Sequence, residues 1–201
     1  MGYDNNIENL IQQSIKLGSS NYINETLCTI IIPTYNNTEE HYIRLFNSIM
    51  KQSISDHLEV LIVDDGSTAG ILTENFIREH LTLPWTLLVN EENRGIGYTR
   101  QRAIDSITTP YFIMMDADDE MGSENTAEIY VYHMERNPEE VMCCGYEGHF
   151  VIGVDIEDYM GFGLHGYCGR KDKLNQYIKF LPIYYCEDRI YTTELDLMAL
   201  D

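Results

Sequence analysis

The chain predicts an α/β fold, a single domain with a largely parallel central sheet flanked by helices. Three observations lead there. Short apolar runs of five or six residues recur from residue 28 onward, and segments with helical spacing separate them, the alternation that builds βαβ crossovers. The runs are nearly continuous, as expected of strands covered on both faces. Polar, turn-forming clusters follow the first four runs, so one edge of such a sheet would collect four polar tips.

Residues 1–27 are polar apart from a short amphipathic stretch at Ile7, Leu10, Ile11 and Ile15. They read as an N-terminal extension with one short helix, ahead of a domain spanning 28–201. The first strand is 28–33 (CTIIIP), rich in the β-branched residues that suit a pleated surface. Tyr42, Leu45, Phe46, Ile49 and Met50 then recur at helical spacing. The second strand is 58–63 (LEVLIV), followed by a weaker helix over 70–80 that ends before Pro84. The third strand, 85–89 (WTLLV), leads into a helix opening near Gly95, with Ile96, Arg100, Ala103, Ile104 and Ile107 on one side and Pro110 past its end. A fourth strand covers 111–115 (YFIMM), a helix runs through Thr126, Ile129, Tyr130, His133 and Met134, and a fifth strand covers 141–146 (VMCCGY).

Composition narrows the function classes. With 44% hydrophobic residues in 201, the chain can bury one good core. Its 33 acidic against 13 basic residues give a net charge of −20, which argues against a duplex-DNA gripping surface. The five cysteines at 28, 143, 144, 168 and 186 form no C-x-x-C pair, so neither a disulfide framework nor a structural zinc site is expected. Reduced thiols, the absence of a signal-like N-terminus and the lack of an apolar run of bilayer length together lead us to expect a cytoplasmic protein without an anchor.

The most informative segment is Asp116-Ala117-Asp118-Asp119-Glu120, directly after the fourth strand. Packed carboxylates repel one another unless a cation sits among them. Hard cations such as Mg²⁺ or Mn²⁺ take one or two carboxylates and fill their other positions with water and phosphate. Alone, D-x-D-D is equally compatible with a solvated acidic turn. Its company changes the balance: the other strand ends are Pro33-Thr34-Tyr35-Asn36-Asn37, Asp64-Asp65-Gly66-Ser67-Thr68 and Asn90-Glu91-Glu92-Asn93-Arg94-Gly95.

The strings IIIPTYNN, IVDDGST, NRGIGYTRQRAI and MMDADDE, in that order, resemble the nucleotide-sugar-binding half of a family 2 glycosyltransferase of the GT-A, Rossmann-like fold. HGYCGRKDKL and YYCEDRIY resemble its acceptor-side half, dividing the domain at 28–120 and 121–201. The resemblance implies a metal-dependent, inverting transfer of a hexosyl group from a nucleoside diphosphate sugar, with UDP the first choice, to an acceptor hydroxyl on a glycan, lipid-linked sugar, protein or modified base. It implies a nucleotide-sugar site at Pro33, Thr34, Tyr35, Asn36, Asp65, Arg94, Gly95, Arg100, Asp116 and Ala117, with Asp65 on uracil N3–H. The divalent metal, Mn²⁺ or Mg²⁺, would fall to Asp118 first, with Asp116 and Asp119. Arg100 also lies on the inner face of its helix, where a guanidinium needs an anionic partner.

For the general base the resemblance implies Asp188, with Glu187 its runner-up. Read without it, Glu187-Asp188 is an acidic pair opening a C-terminal helix. His165 and Gly166 fall on the acceptor side of the pattern, but Gly169 stands where the family usually has an aromatic. Other classes fit less well. An EF-hand begun at Asp116 would need Gly at 121 and Glu at 127, where Met121 and Ala127 stand. No P-loop string exists, and Gly95-Ile96-Gly97 lacks the third glycine of a dinucleotide fingerprint. Two alternatives stay open: a catalytically inactive nucleotide-binding scaffold of the same fold, and a sugar nucleotidyltransferase.

Overall fold

The structure is a computed structural model, and it describes residues 26–138, 142–146, 149–151 and 167–172. Among the described residues seven strands form one sheet: β1 (Cys28–Thr34), β2 (Leu58–Asp64), β3 (Trp85–Val89), β4 (Tyr111–Met114), β5 (Met142–Tyr146), β6 (His149–Val151) and β7 (Tyr167–Arg170). Four α-helices accompany them in the same residues, α1 (Glu39–Met50), α2 (Glu74–His80), α3 (Ile96–Ser106) and α4 (Thr126–Arg136), with a 3-10 turn at Ser55–His57. The strand order is β3-β2-β1-β4-β7-β5-β6. The β3-β2-β1-β4 block is parallel, whereas β7 is antiparallel to both β4 and β5, and β6 antiparallel to β5.

The five strands and four helices expected within 28–146 are present with small shifts, whereas the short helix expected in the N-terminal extension lies outside the described residues. The second helix starts at Glu74, not 70, because Gly70 adopts φ 66° and Thr73 supplies the cap, its hydroxyl accepting from the Phe76 amide. Thr38 caps α1 in the same way through the His41 amide. The fifth strand does not join β4 directly. The chain after it returns as β7 and takes the place beside β4.

Alternation along the strands divides the core. Ile30, Ile32, Val60, Ile62, Tyr111 and Ile113 pack with Leu45, Phe46 and Ile49 of α1, Ile77 of α2 and Tyr130 and Met134 of α4. The residues between them, such as Ile31, Val63, Phe112 and Met114, are equally buried and point to the other face, where α3 packs on β1 and β2. Both faces are therefore covered, which explains the continuous apolar runs.

Gly169 lies opposite Phe112 in the β4–β7 ladder. A Cβ there would stand 2.6 Å from the Phe112 ring, so that ring occupies the space a side chain on β7 would fill. The departure from the family pattern is a packing exchange in the sheet. Arg170 donates to the Met134 carbonyl in the last turn of α4, and Lys171 to the Ile107 carbonyl past the end of α3. Two cations thus meet two helix C-termini, where the backbone dipole favours them.

Candidate active site

The direction of the chain connections reverses beside β1. β2 and β3 lie to one side of it and β4 to the other, and at such a switch point the loops leaving adjacent strands diverge and open a crevice. β1 pairs with β4 only from Cys28 to Ile31, but with β2 as far as Thr34. The last turns of β1 therefore stand beyond the end of β4, facing the Met115–Asp116 segment. A proline is tolerated at 33 because this side of the strand is no longer laddered.

Three contacts tie the loops at this edge together. Asn36, at φ 53°, lets its amide donate to the Ser67 hydroxyl (2.7 Å) while its Oδ1 accepts from the Thr68 amide (2.9 Å). The loop after β2 passes so close to the loop after β3 that a Cβ on Gly66 would lie 2.7 Å from the Glu92 carbonyl carbon, and Gly66 itself is at φ 73°. Asp65 is 3% exposed. Its Oδ1 accepts from Asn90 Nδ2 (2.6 Å) and the Arg94 amide (2.9 Å), and its Oδ2 from the Gly95 amide (2.8 Å). Gly95 is the N-cap of α3 and has no side chain to cap with, so the carboxylate at the end of β2 satisfies the amides at the helix entrance.

Arg100, on α3, reaches across the sheet edge to β4. It is 5% exposed and donates from Nη2 to Asp116 Oδ1 at 2.9 Å. The expected anionic partner of the inward-facing guanidinium is therefore the first carboxylate of the acidic segment. Oδ2 of Asp116 takes no part in that pair. Asp116 also closes a turn, its carbonyl accepting from the Asp119 amide at 3.1 Å. Ala117 is buried beneath the turn and Asp118 is exposed on it.

The remaining donor-side residues divide into buried and presented ones. Pro33 and Thr34 are buried, and the Thr34 hydroxyl is held by Tyr42 Oη (2.7 Å) and Asn37 Nδ2 (3.0 Å). Burial pushes the Tyr42 phenol above its usual pKa, partly offset by that Thr34 bond, with the Asp64 charge adding to the rise. Tyr35 is 45% exposed, a large ring open to solvent at the crevice. Arg94 is exposed, its guanidinium 3.8 Å from the centre of the Tyr98 ring. His165, Gly166, Glu187 and Asp188 lie outside the described residues.

The donors of the acidic segment are carboxylates, which suits a hard cation such as Mg²⁺ or Mn²⁺. Among the described residues no three or more Asp, Glu, His or Cys side chains are gathered to hold an ion.

Two contributors were given no role by the sequence. Asn90 is buried between Asp65 and the Arg102 guanidinium, which donates to its Oδ1. Arg44, on α1, donates to the Asp118 carbonyl. Neither follows from local spacing, because each contact joins distant elements.

The sequence and the fold were compared with known proteins. The model of the family described as glycosyl transferase family 2 matches residues 29–192. The processive diacylglycerol beta-glycosyltransferase of Mycoplasma genitalium is 30% identical over 103 residues, covering 50% of this chain and 30% of that protein. Staphylococcus aureus TarS 1-349 in complex with UDP-GlcNAc superposes with a TM-score of 0.68 at 24% identity, over 85% of this chain and 53% of that one. The mannosyltransferase PcManGT of Pyrobaculum calidifontis, in complex with GDP-Man and Mn²⁺, gives 0.69 at 19% identity, over 96% and 59%. The chain thus spans under a third of the M. genitalium relative and just over half of each solved chain.

Proposed function

The chain belongs to glycosyl transferase family 2, and from that premise we propose that it transfers a sugar from a nucleoside diphosphate donor, UDP first, to an acceptor hydroxyl with inversion. The observation that supports this is the switch point beside β1, where the segment after β1 presents exposed Tyr35 and the segment after β4 carries the Arg100–Asp116 pair. Tyr35 offers a ring for the base to stack on. Asp65, which already accepts three hydrogen bonds, holds Arg94 and Gly95 at the phosphate end and keeps lone-pair capacity on Oδ2 for a base N–H. Arg94, exposed over Tyr98, supplies positive charge toward the diphosphate.

Asp118 and Oδ2 of Asp116 would hold the divalent cation, with Asp119 adjacent. When bound, that ion offsets the charge of the departing diphosphate. Arg100 fixes the direction of the Asp116 carboxylate through its hydrogen bond to Oδ1. Asp188, with Glu187 beside it, takes the proton from the attacking hydroxyl, and single displacement inverts the anomeric centre. We place the donor half at 28–120, the acceptor half at 121–201 and His165-Gly166 on the acceptor side. Cys28 and Cys168 are buried and outside any disulfide, and we place the protein in the cytoplasm.

Two solved neighbours carry different nucleotides, UDP-GlcNAc in TarS and GDP-Man in PcManGT, so the base is the first thing to test. Calorimetric titration of UDP and of GDP, with and without Mn²⁺, should give metal-dependent binding of one of them. Asp118→Ala should abolish the metal dependence. Absence of binding by either nucleotide would turn the reading toward another nucleotide or toward a scaffold that has lost the donor site.

A further inference from the structure

We propose that Arg44 is a positioning residue for the acidic loop, its guanidinium setting where the Asp118 carboxylate stands through the hydrogen bond to the Asp118 carbonyl. This rests on the donor-site reading above and deepens it. Nη2 of Arg44 donates to that oxygen at 2.6 Å, across 74 residues of sequence. A guanidinium on a carbonyl makes a short, charge-assisted bond.

The loop is fixed at both ends by other means. Arg100 holds Asp116 at its start. At its far end the Met121 amide donates to Ser48 Oγ (3.0 Å), Gln52 Nε2 to the Ser123 carbonyl (2.8 Å) and the Ser53 amide to the Glu124 carbonyl (2.7 Å). Between these anchors Asp118 is exposed, and the bond from Arg44 reaches its backbone from another element. Beside its far end lies an open polar groove of about 460 Å³, lined by Arg44 and Ser48 of α1, by Lys51 just past it, and by Glu120 and Ser123 of the loop. Ala117 anchors the turn in the core, and the bond from Arg44 holds its exposed side.

The placement has an electrostatic consequence as well. Arg44 brings a positive charge to the backbone of the acidic segment, which eases the mutual repulsion of its carboxylates. Lysine could replace the charge but not the planar, forked donor.

The test uses the full chain as wild type, Arg44→Ala and Arg44→Lys. Binding of UDP, with GDP in parallel, is titrated calorimetrically across a series of MnCl₂ concentrations, and bound Mn²⁺ is read by electron paramagnetic resonance. In Arg44→Ala the Mn²⁺ concentration giving half-maximal nucleotide binding should rise roughly tenfold, as loss of one charge-assisted hydrogen bond implies. Metal-free nucleotide binding and the melting temperature should stay at wild-type values, and Arg44→Lys should recover part of the effect. An unchanged Mn²⁺ requirement in Arg44→Ala, or an equal loss of metal-free binding and melting temperature, overturns the assignment. If wild type shows no metal-dependent binding, the donor-site reading fails and this inference falls with it. Metal-dependent binding that is identical in wild type and Arg44→Ala removes the Arg44 role alone.

Discussion

At Asp65 one buried carboxylate joins the segments after β2 and β3. It follows β2 directly, accepts from Asn90 after β3 and satisfies the amides of Arg94 and Gly95 at the entrance to α3. Asparagine has nearly the same shape but must turn an N–H₂ toward at least one of those donors. We expect Asp65→Asn to cost about 1–3 kcal/mol, the range for leaving a buried polar group unsatisfied. A urea midpoint equal to wild type, with unchanged slope, would show that the clamp is not needed. Tyr42 makes a second case. Its phenol has a raised pKa in the fold, so its contribution is fully present below the unfolded value near 10 and is lost as pH climbs through the higher folded value. Replacing it by Phe should therefore lower stability at neutral pH by about 1 kcal/mol, through loss of the Thr34 bond, and flatten the decline seen by denaturation above that pH. An equal alkaline decline in both proteins would remove Tyr42 as its source. The identity of these residues was visible in the sequence. Their partners were not, because Asp65 finds Asn90 and Tyr42 finds Thr34 only once separate strands and helices have packed.

Among the elements, β7 carries the largest difference between expectation and structure. The sequence offers HGYCGRKDKL as an acceptor-side string with no strand assigned to it, and a four-residue strand with a central glycine has little periodicity to reveal it. In the fold it lies against β4, with Gly169 over the Phe112 ring. Gly169→Ala forces a methyl into a filled space, for which we expect about 1–3 kcal/mol of destabilisation. Phe112→Leu introduced in the same chain should recover part of that loss by shortening the opposing side chain. Additive losses in the double variant, measured by chemical denaturation, would mean that the two residues do not compete for space. The helices, by contrast, were readable from their stripes. α1 buries Tyr42, Leu45, Phe46 and Ile49, the positions its spacing nominates.

For the whole molecule the useful quantity is linkage between metal and nucleotide. If both belong to one site, Mn²⁺ should raise the melting temperature chiefly when the nucleoside diphosphate is also present. Saturation at about 100 times the dissociation constant adds about 2.7 kcal/mol, or roughly 5–10 °C for a domain of this size. A shift of equal size with Mn²⁺ alone would point to a separate ion site on this acidic chain. By itself the sequence determined the fold class, the positions of five strands and four helices, and the gathering of polar tips at the carboxyl edge, since these depend on local hydrophobic periodicity and turn chemistry. It also carried the family resemblance that the family match confirmed. Only the tertiary structure decided that β7 intervenes between β4 and β5, that Arg100 pairs with Asp116, that Asp65 is a buried clamp and that Arg44 reaches the Asp118 backbone. Each of these depends on which distant segments meet, and a one-dimensional pattern holds no record of that.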